Sequence, residues 1–166
     1  NIDTFKVFLV AFLWVIIIAP IVQLIIPIIF DSADMKILGG LIVPDSISYS
    51  VEAKLISQVM QEKGFSFWSS HPQGHFIMGL TSLFYYLFIP HPWVLIPFNA
   101  LIHGISSGLI FNILNNVIKN KKIAFVGIFP FIFFLSAFQW NAQILKEGLF
   151  VLSILFIMFG WVMVYS

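Results

Sequence analysis

The sequence contains no cysteine and no arginine. Without cysteine there is no disulfide, no thiolate nucleophile and no sulfur-ligated metal. All eight basic residues are lysines, and against seven carboxylates they leave a net charge of +1. No basic field exists to hold a nucleic-acid backbone, so nucleic acid is excluded as a partner. Charge of either sign is scarce: charged residues make up 9% of the chain, hydrophobic ones 60%, and the mean hydropathy is +1.03. A water-soluble globule cannot cover its surface from that composition, which leaves an integral membrane protein. Repeats and Gly/Ser-rich or Pro-rich linkers are missing too, so residues 1–166 read as a single membrane domain.

What is present is a series of apolar runs. A bilayer core of about 30 Å needs roughly 20 apolar residues at a rise of about 1.5 Å each. Residues 7–30, 93–118, 123–138 and 148–165 meet or approach that length, predicting an all-α, multi-pass fold of about four spans. Pro20 and Pro27 are expected to kink the first span. The run 76–89, bounded by His75 and by Pro90, His91 and Pro92, is shorter and reads as a juxtamembrane or re-entrant helix. The opening at Asn1 and the last apolar run reaching Ser166 without a polar tail create the expectation of an N-terminal piece of a longer chain.

Lysine flanking a span prefers the cytoplasmic side. Lys119, Lys121 and Lys122 therefore place the turn before residue 123 inside; the alternative is that both 76–89 and 93–118 cross and the lysine turn is external. The loop 31–74, with Asp31, Asp34, Asp45, Glu52 and Glu62 against Lys36, Lys54 and Lys63, is then expected outside, together with residues 139–147. The predicted location is the cell membrane, with the active face extracytoplasmic.

Within the outer loop, residues 46–63 predict an amphipathic helix that starts at Asp45 as N-cap and stops at Gly64. Ile47, Val51, Leu55 and Val59 recur every four residues and are expected to lie on the membrane. Asp45, Tyr49 and Glu52 share one stripe, bringing two carboxylates and a phenol toward one space. Further on, His71 and His75 stand where the chain returns to the membrane among Phe65, Phe67, Trp68 and Phe76. Pro72 and Gly74 argue against a regular helix between them, so they read as polar donors near headgroups, in an interfacial aromatic belt. Inside residues 93–118, Asn99, His103 and Ser106 form a polar stripe expected to face protein, and Gly104 and Gly108 a small-residue seam for helix–helix contact. Lys146 and Glu147 precede the last span.

Pro44, Asp45, Ser46, Tyr49 and Ala53 in the first outer loop, the His71-Pro72 pair at the re-entry and Lys146-Glu147 in the second outer loop together resemble the polyprenyl-phosphate-sugar-dependent C-type glycosyltransferases. Protein O-mannosyltransferases and lipid A aminoarabinose transferases belong to that group. The resemblance implies a many-spanned fold and transfer of a sugar from a lipid-linked donor. It implies Asp45 as base or acceptor-orienting group and Glu147 as the second-loop acid, both catalytic, with His71 near the lipid phosphate. Gln73 stands where the family tends to have a second proline, and no arginine is available for the phosphate. The chemistry suits these residue types: a carboxylate takes the acceptor proton, while His71, His75 and Lys146 meet the departing phosphate and Tyr49 and Glu52 line the substrate. No cofactor is required by the sequence; a divalent cation between carboxylates is compatible with it. The alternatives are a transporter or channel component built on the His103 stripe and a non-catalytic assembly subunit built on the glycine seam.

Overall fold

The computed structural model describes residues 3–29, 39–134 and 141–165. Asp31, Asp34, Lys36 and the 135–138 end of the expected third span lie outside them. The described residues form six α-helices, α1 (Thr4–Ile29), α2 (Pro44–Lys63), α3 (Phe76–Leu87), α4 (Ile96–Ile118), α5 (Lys121–Phe133) and α6 (Glu147–Tyr165), with short 3-10 turns between α2 and α3 and between α3 and α4. No strand occurs among them. Among the described residues, three stretches are long and apolar enough to cross a membrane: Thr4–Ile29, Pro92–Ile118 and Glu147–Tyr165. α3, with 12 residues, extends about 18 Å. The 13 residues of α5 extend about 20 Å, so a fourth crossing is not given by the described part of that run.

α4 is the hub. On α1, Val7, Ala11, Val15, Ala19 and Gln23 recur every four residues and are buried, while Phe5, Leu9, Leu13, Ile17 and Ile21 are left uncovered. Lipid tails are as apolar as leucine, so helices associate in a bilayer mainly through close packing of small residues. That is how α1 meets α4. A Cβ on Gly104 would stand 2.8 Å from the Phe8 ring, and one on Gly108 would stand 3.2 Å from Thr4 Cγ2. The expected glycine seam is thus filled by the chain's own first helix. α1 runs unbroken through Pro20 and Pro27.

Side-chain contacts fix the helix directions. Thr4 Oγ1 donates to Asn112 Oδ1 at 2.6 Å, so α1 starts where α4 nears its end. Gly148 lies against Ile102 and Asn116 Nδ2 approaches Met163 Sδ at 4.0 Å, so α6 runs parallel to α4. Between α4 and α5 the chain turns through Lys119 at φ 55°, and Asn120 caps α5 by accepting from the backbone N–H of Lys122 and Ile123. Gly127 then meets Leu114, and the His103 ring stacks on Phe131 at 5.1 Å. The lysine turn therefore occupies one end of the bundle. Gly39–Tyr49 and Asn141–Glu147 occupy the other.

α2 and α3 form a hairpin over that second end, sharing a core of Leu41, Tyr49, Ala53, Ile77, Met78, Tyr85, Leu95 and Ile144. One expectation about α2 is corrected. The helix begins at Pro44, with Val43 as N-cap, because proline's fixed φ suits the first helical position; Asp45 falls in the first turn and makes no cap hydrogen bond. The face that packs on protein is Ser46, Tyr49, Ala53, Ser57 and Met60, whose small members let α3 approach. Of the apolar stripe, Val51, Leu55 and Val59 are left 39–52% exposed and available to lipid, while Ile47 packs against the core of the hairpin.

Candidate functional site

The loop end is tied together by amides. Gln143, buried between three elements, uses both ends of its side chain: Oε1 accepts from the backbone N–H of Ile42 at 3.0 Å and of Val43 at 3.4 Å, while Nε2 donates to the Gly40 carbonyl at 3.2 Å. Asn99 Nδ2 on α4 donates to the carbonyls of Asn141 and Gln143, and Gln23 Nε2 on α1 donates to that of Ala142. Ser46 Oγ, one residue after Asp45, accepts from the backbone N–H of Ile144 at 2.8 Å. Irregular backbone at membrane depth persists only where protein satisfies its polar groups, and these four side chains do so. The start of α2 and the segment leading to Lys146 and Glu147 are thereby joined. Gly40 completes the joint at φ 77°: a Cβ there would stand 2.3 Å from the Gln23 carbonyl oxygen.

The residues singled out in the sequence fall into three places. Asp45 is exposed at the start of α2, and Lys146 is exposed two residues beyond the Ile144 N–H. Tyr49 is buried at 6% exposure with its ring 5.4 Å from that of His75, and Glu52 is half-buried. His75 is itself exposed, so this pair forms one edge of the hairpin. His71 is exposed in the turn between, its Nδ1 2.9 Å from Ser70 Oγ and its ring 5.5 Å from that of Phe76. The break predicted between the two histidines is a 3-10 turn, Pro72–Gly74, with Gln73 at φ 52°. Trp68 Nε1 donates to the Gly79 carbonyl at 3.0 Å, anchoring this segment on α3.

Glu147 points elsewhere. It opens α6 and lines a cavity of about 360 Å³ between α4, α5 and α6, together with Asn99, His103, Ser106, Asn141 and the phenylalanines 98, 131 and 134. Its Oε2 is sealed from solvent and makes no hydrogen bond with the described residues, and the same holds for His103 Nε2, although the Ile132 backbone approaches the ring. The predicted Asn99, His103 and Ser106 stripe thus faces this cavity.

Beside the site, Tyr85 on α3 is pushed up to about 12 by burial, and its hydroxyl shares a 2.8 Å hydrogen bond with Ser50. His91 is held below its ordinary value by burial; its Nδ1 accepts from the Trp93 backbone N–H, and its Nε2 lies where a Cβ on Gly39 would come within 3.1 Å. No group of three or more histidine or acidic side chains able to share a metal ion occurs among the described residues.

Gln23 and Gln143 have no counterpart in the sequence reading. Each is one amide in an apolar or polar run, without a partner at helical spacing. The signal available was depth alone, because an amide inside a 26-residue apolar helix must find a hydrogen-bond partner. No family model, curated protein or solved structure matches this chain.

Proposed function

We propose that this chain is the membrane portion of a glycosyltransferase that moves a sugar from a polyprenyl-phosphate donor to an acceptor hydroxyl at the loop end of the bundle, on the extracytoplasmic face of the cell membrane. One observation carries the reading: the Ser46–Ile144 and Gln143–Ile42 hydrogen bonds join the Asp45 helix to the Lys146-Glu147 turn. The reaction needs both at one headgroup. Asp45 takes the acceptor proton as the hydroxyl oxygen attacks the anomeric carbon, and the bond from that carbon to the phosphate oxygen breaks with its electron pair leaving on the phosphate. Lys146, with His71 and His75, stabilises the departing anion. Tyr49 and Glu52 border the acceptor, while Glu147, turned into the neighbouring cavity, is assigned no step in the transfer. A single displacement inverts the anomeric centre, and a divalent cation is a compatible addition at the phosphate.

In the full chain, Asp45→Asn is expected to lower release of polyprenyl phosphate from the lipid-linked sugar by about 10²- to 10⁴-fold. Membrane insertion should stay intact. Undiminished transfer in that variant removes Asp45 from catalysis. The cavity lined by Asn99, His103 and Ser106 favours a second reading, a transport component; solute flux in proteoliposomes without sugar release would select it.

A further inference from the structure

The cavity between α4, α5 and α6 combines features that the transfer chemistry above leaves unused. It reaches the lower end of the size range of small-molecule sites, and its walls are mostly apolar, with Phe98, Phe131 and Phe134 contributing aromatic rings. Two of the residues that line it, Glu147 and His103, each keep one polar atom, Oε2 and Nε2, closed off from solvent and without a hydrogen bond among the described residues. His103 is 5% exposed. Glu147 is the one acidic residue of the described lining, and no lysine joins it there.

A sealed carboxylate oxygen without a partner is costly. The N-terminus of α6 offsets part of that cost, because the helix dipole favours negative charge in its first turn, and Glu147 is the first residue of α6. What the site lacks is a cation. Aromatic faces beside a carboxylate are the surroundings in which an ammonium group loses least on leaving water, since each ring attracts it and the carboxylate neutralises it. We infer that this cavity binds a small apolar molecule ending in a protonated amine, with Glu147 as its counter-ion, His103 as a second hydrogen-bond partner and the phenylalanines around its body. The inference does not rest on sugar transfer. A chain that binds the amine and transfers no sugar would leave it standing.

Three probes of one carbon skeleton test it: 2-phenylethylamine, 2-phenylethanol and ethylbenzene, titrated against the detergent-purified full chain, with the thermal unfolding midpoint as readout. The amine is expected to raise the midpoint saturably, with an apparent affinity about tenfold or more above that of the alcohol; ethylbenzene should bind more weakly still. Glu147→Gln should remove the amine's advantage over the alcohol. Val151→Phe, which fills the cavity from α6, should abolish saturable shifts by all three, and it carries the test of location where Glu147→Gln does not fold. Asp45→Asn should keep the full amine response. Equal affinities for amine and alcohol, an amine response that survives Val151→Phe, or no saturable response each overturns the inference.

Discussion

Gln143 holds more of the loop end than any charged residue does, because its one side chain serves two donors and one acceptor of otherwise unpaired backbone. A leucine of similar volume would keep the packing and strand those groups. Leaving buried polar groups unpaired costs about 1–3 kcal/mol each. Gln143→Leu is therefore expected to destabilise the protein by about 3 kcal/mol or more, read as a lowered unfolding midpoint in detergent; an unchanged midpoint would mean that the joint does not depend on this amide. His91 gives a pH dependence at the same scale. Burial holds its folded value below the ordinary 6.5, so the unfolded chain takes up the proton first as pH falls. Its contribution is intact above about 6.5 and is lost as pH drops from there toward the folded value. Midpoints measured across that window should decline on acidification, and His91→Asn, which keeps an acceptor for Trp93, should flatten the decline. A slope unaltered by His91→Asn would assign it to other groups.

Among the described elements, the contact of α1 with α4 is the most extensive. Gly104→Val pushes a branched side chain into Phe8 and should cost about 1–3 kcal/mol by overpacking. A Cβ on Gly160 of α6 would meet nothing within 4 Å, and Gly160→Val should leave the midpoint nearly unchanged. Equal effects at the two positions would contradict the packing described. The same elements show what a linear sequence reveals. The runs read as residues 7–30, 93–118 and 148–165 differ by a few residues from Thr4–Ile29, Pro92–Ile118 and Glu147–Tyr165, because length and apolarity alone decide whether a helix suits a bilayer. The packed face of α2 was not legible. Val51, Leu55 and Val59 make the regular pattern, but Tyr49 and small Ala53 join the core shared with α3, since close approach rewards lack of bulk and an apolar stripe has lipid as an alternative partner. Asp45, Lys146 and Glu147 were legible as chemistry-bearing types. The separate direction of Glu147, into a cavity with His103, depends on how α4, α5 and α6 pack, and no local spacing encodes it.

For the whole molecule, everything functional depends on a division between two ends. Thr4, Asn112 and the lysine turn lie at one, and Asp45, His91 and Lys146 at the other. Reading the loop end as extracytoplasmic agrees with the preference of lysine for the inside, and it is at that end that a lipid-linked sugar would meet carboxylate and cation together. The absence of cysteine makes this division directly measurable in intact cells. Single Asp45→Cys, Lys146→Cys and Lys121→Cys variants, each at an exposed position, would be treated with a membrane-impermeant maleimide, and the Asp45→Cys/Lys146→Cys double variant with a short bis-maleimide. Labelling of the first two from outside, no labelling of the third until the membrane is opened, and an intramolecular cross-link in the double variant are expected. Labelling of Asp45→Cys and Lys146→Cys from opposite sides, or a double variant that never cross-links, would contradict this arrangement.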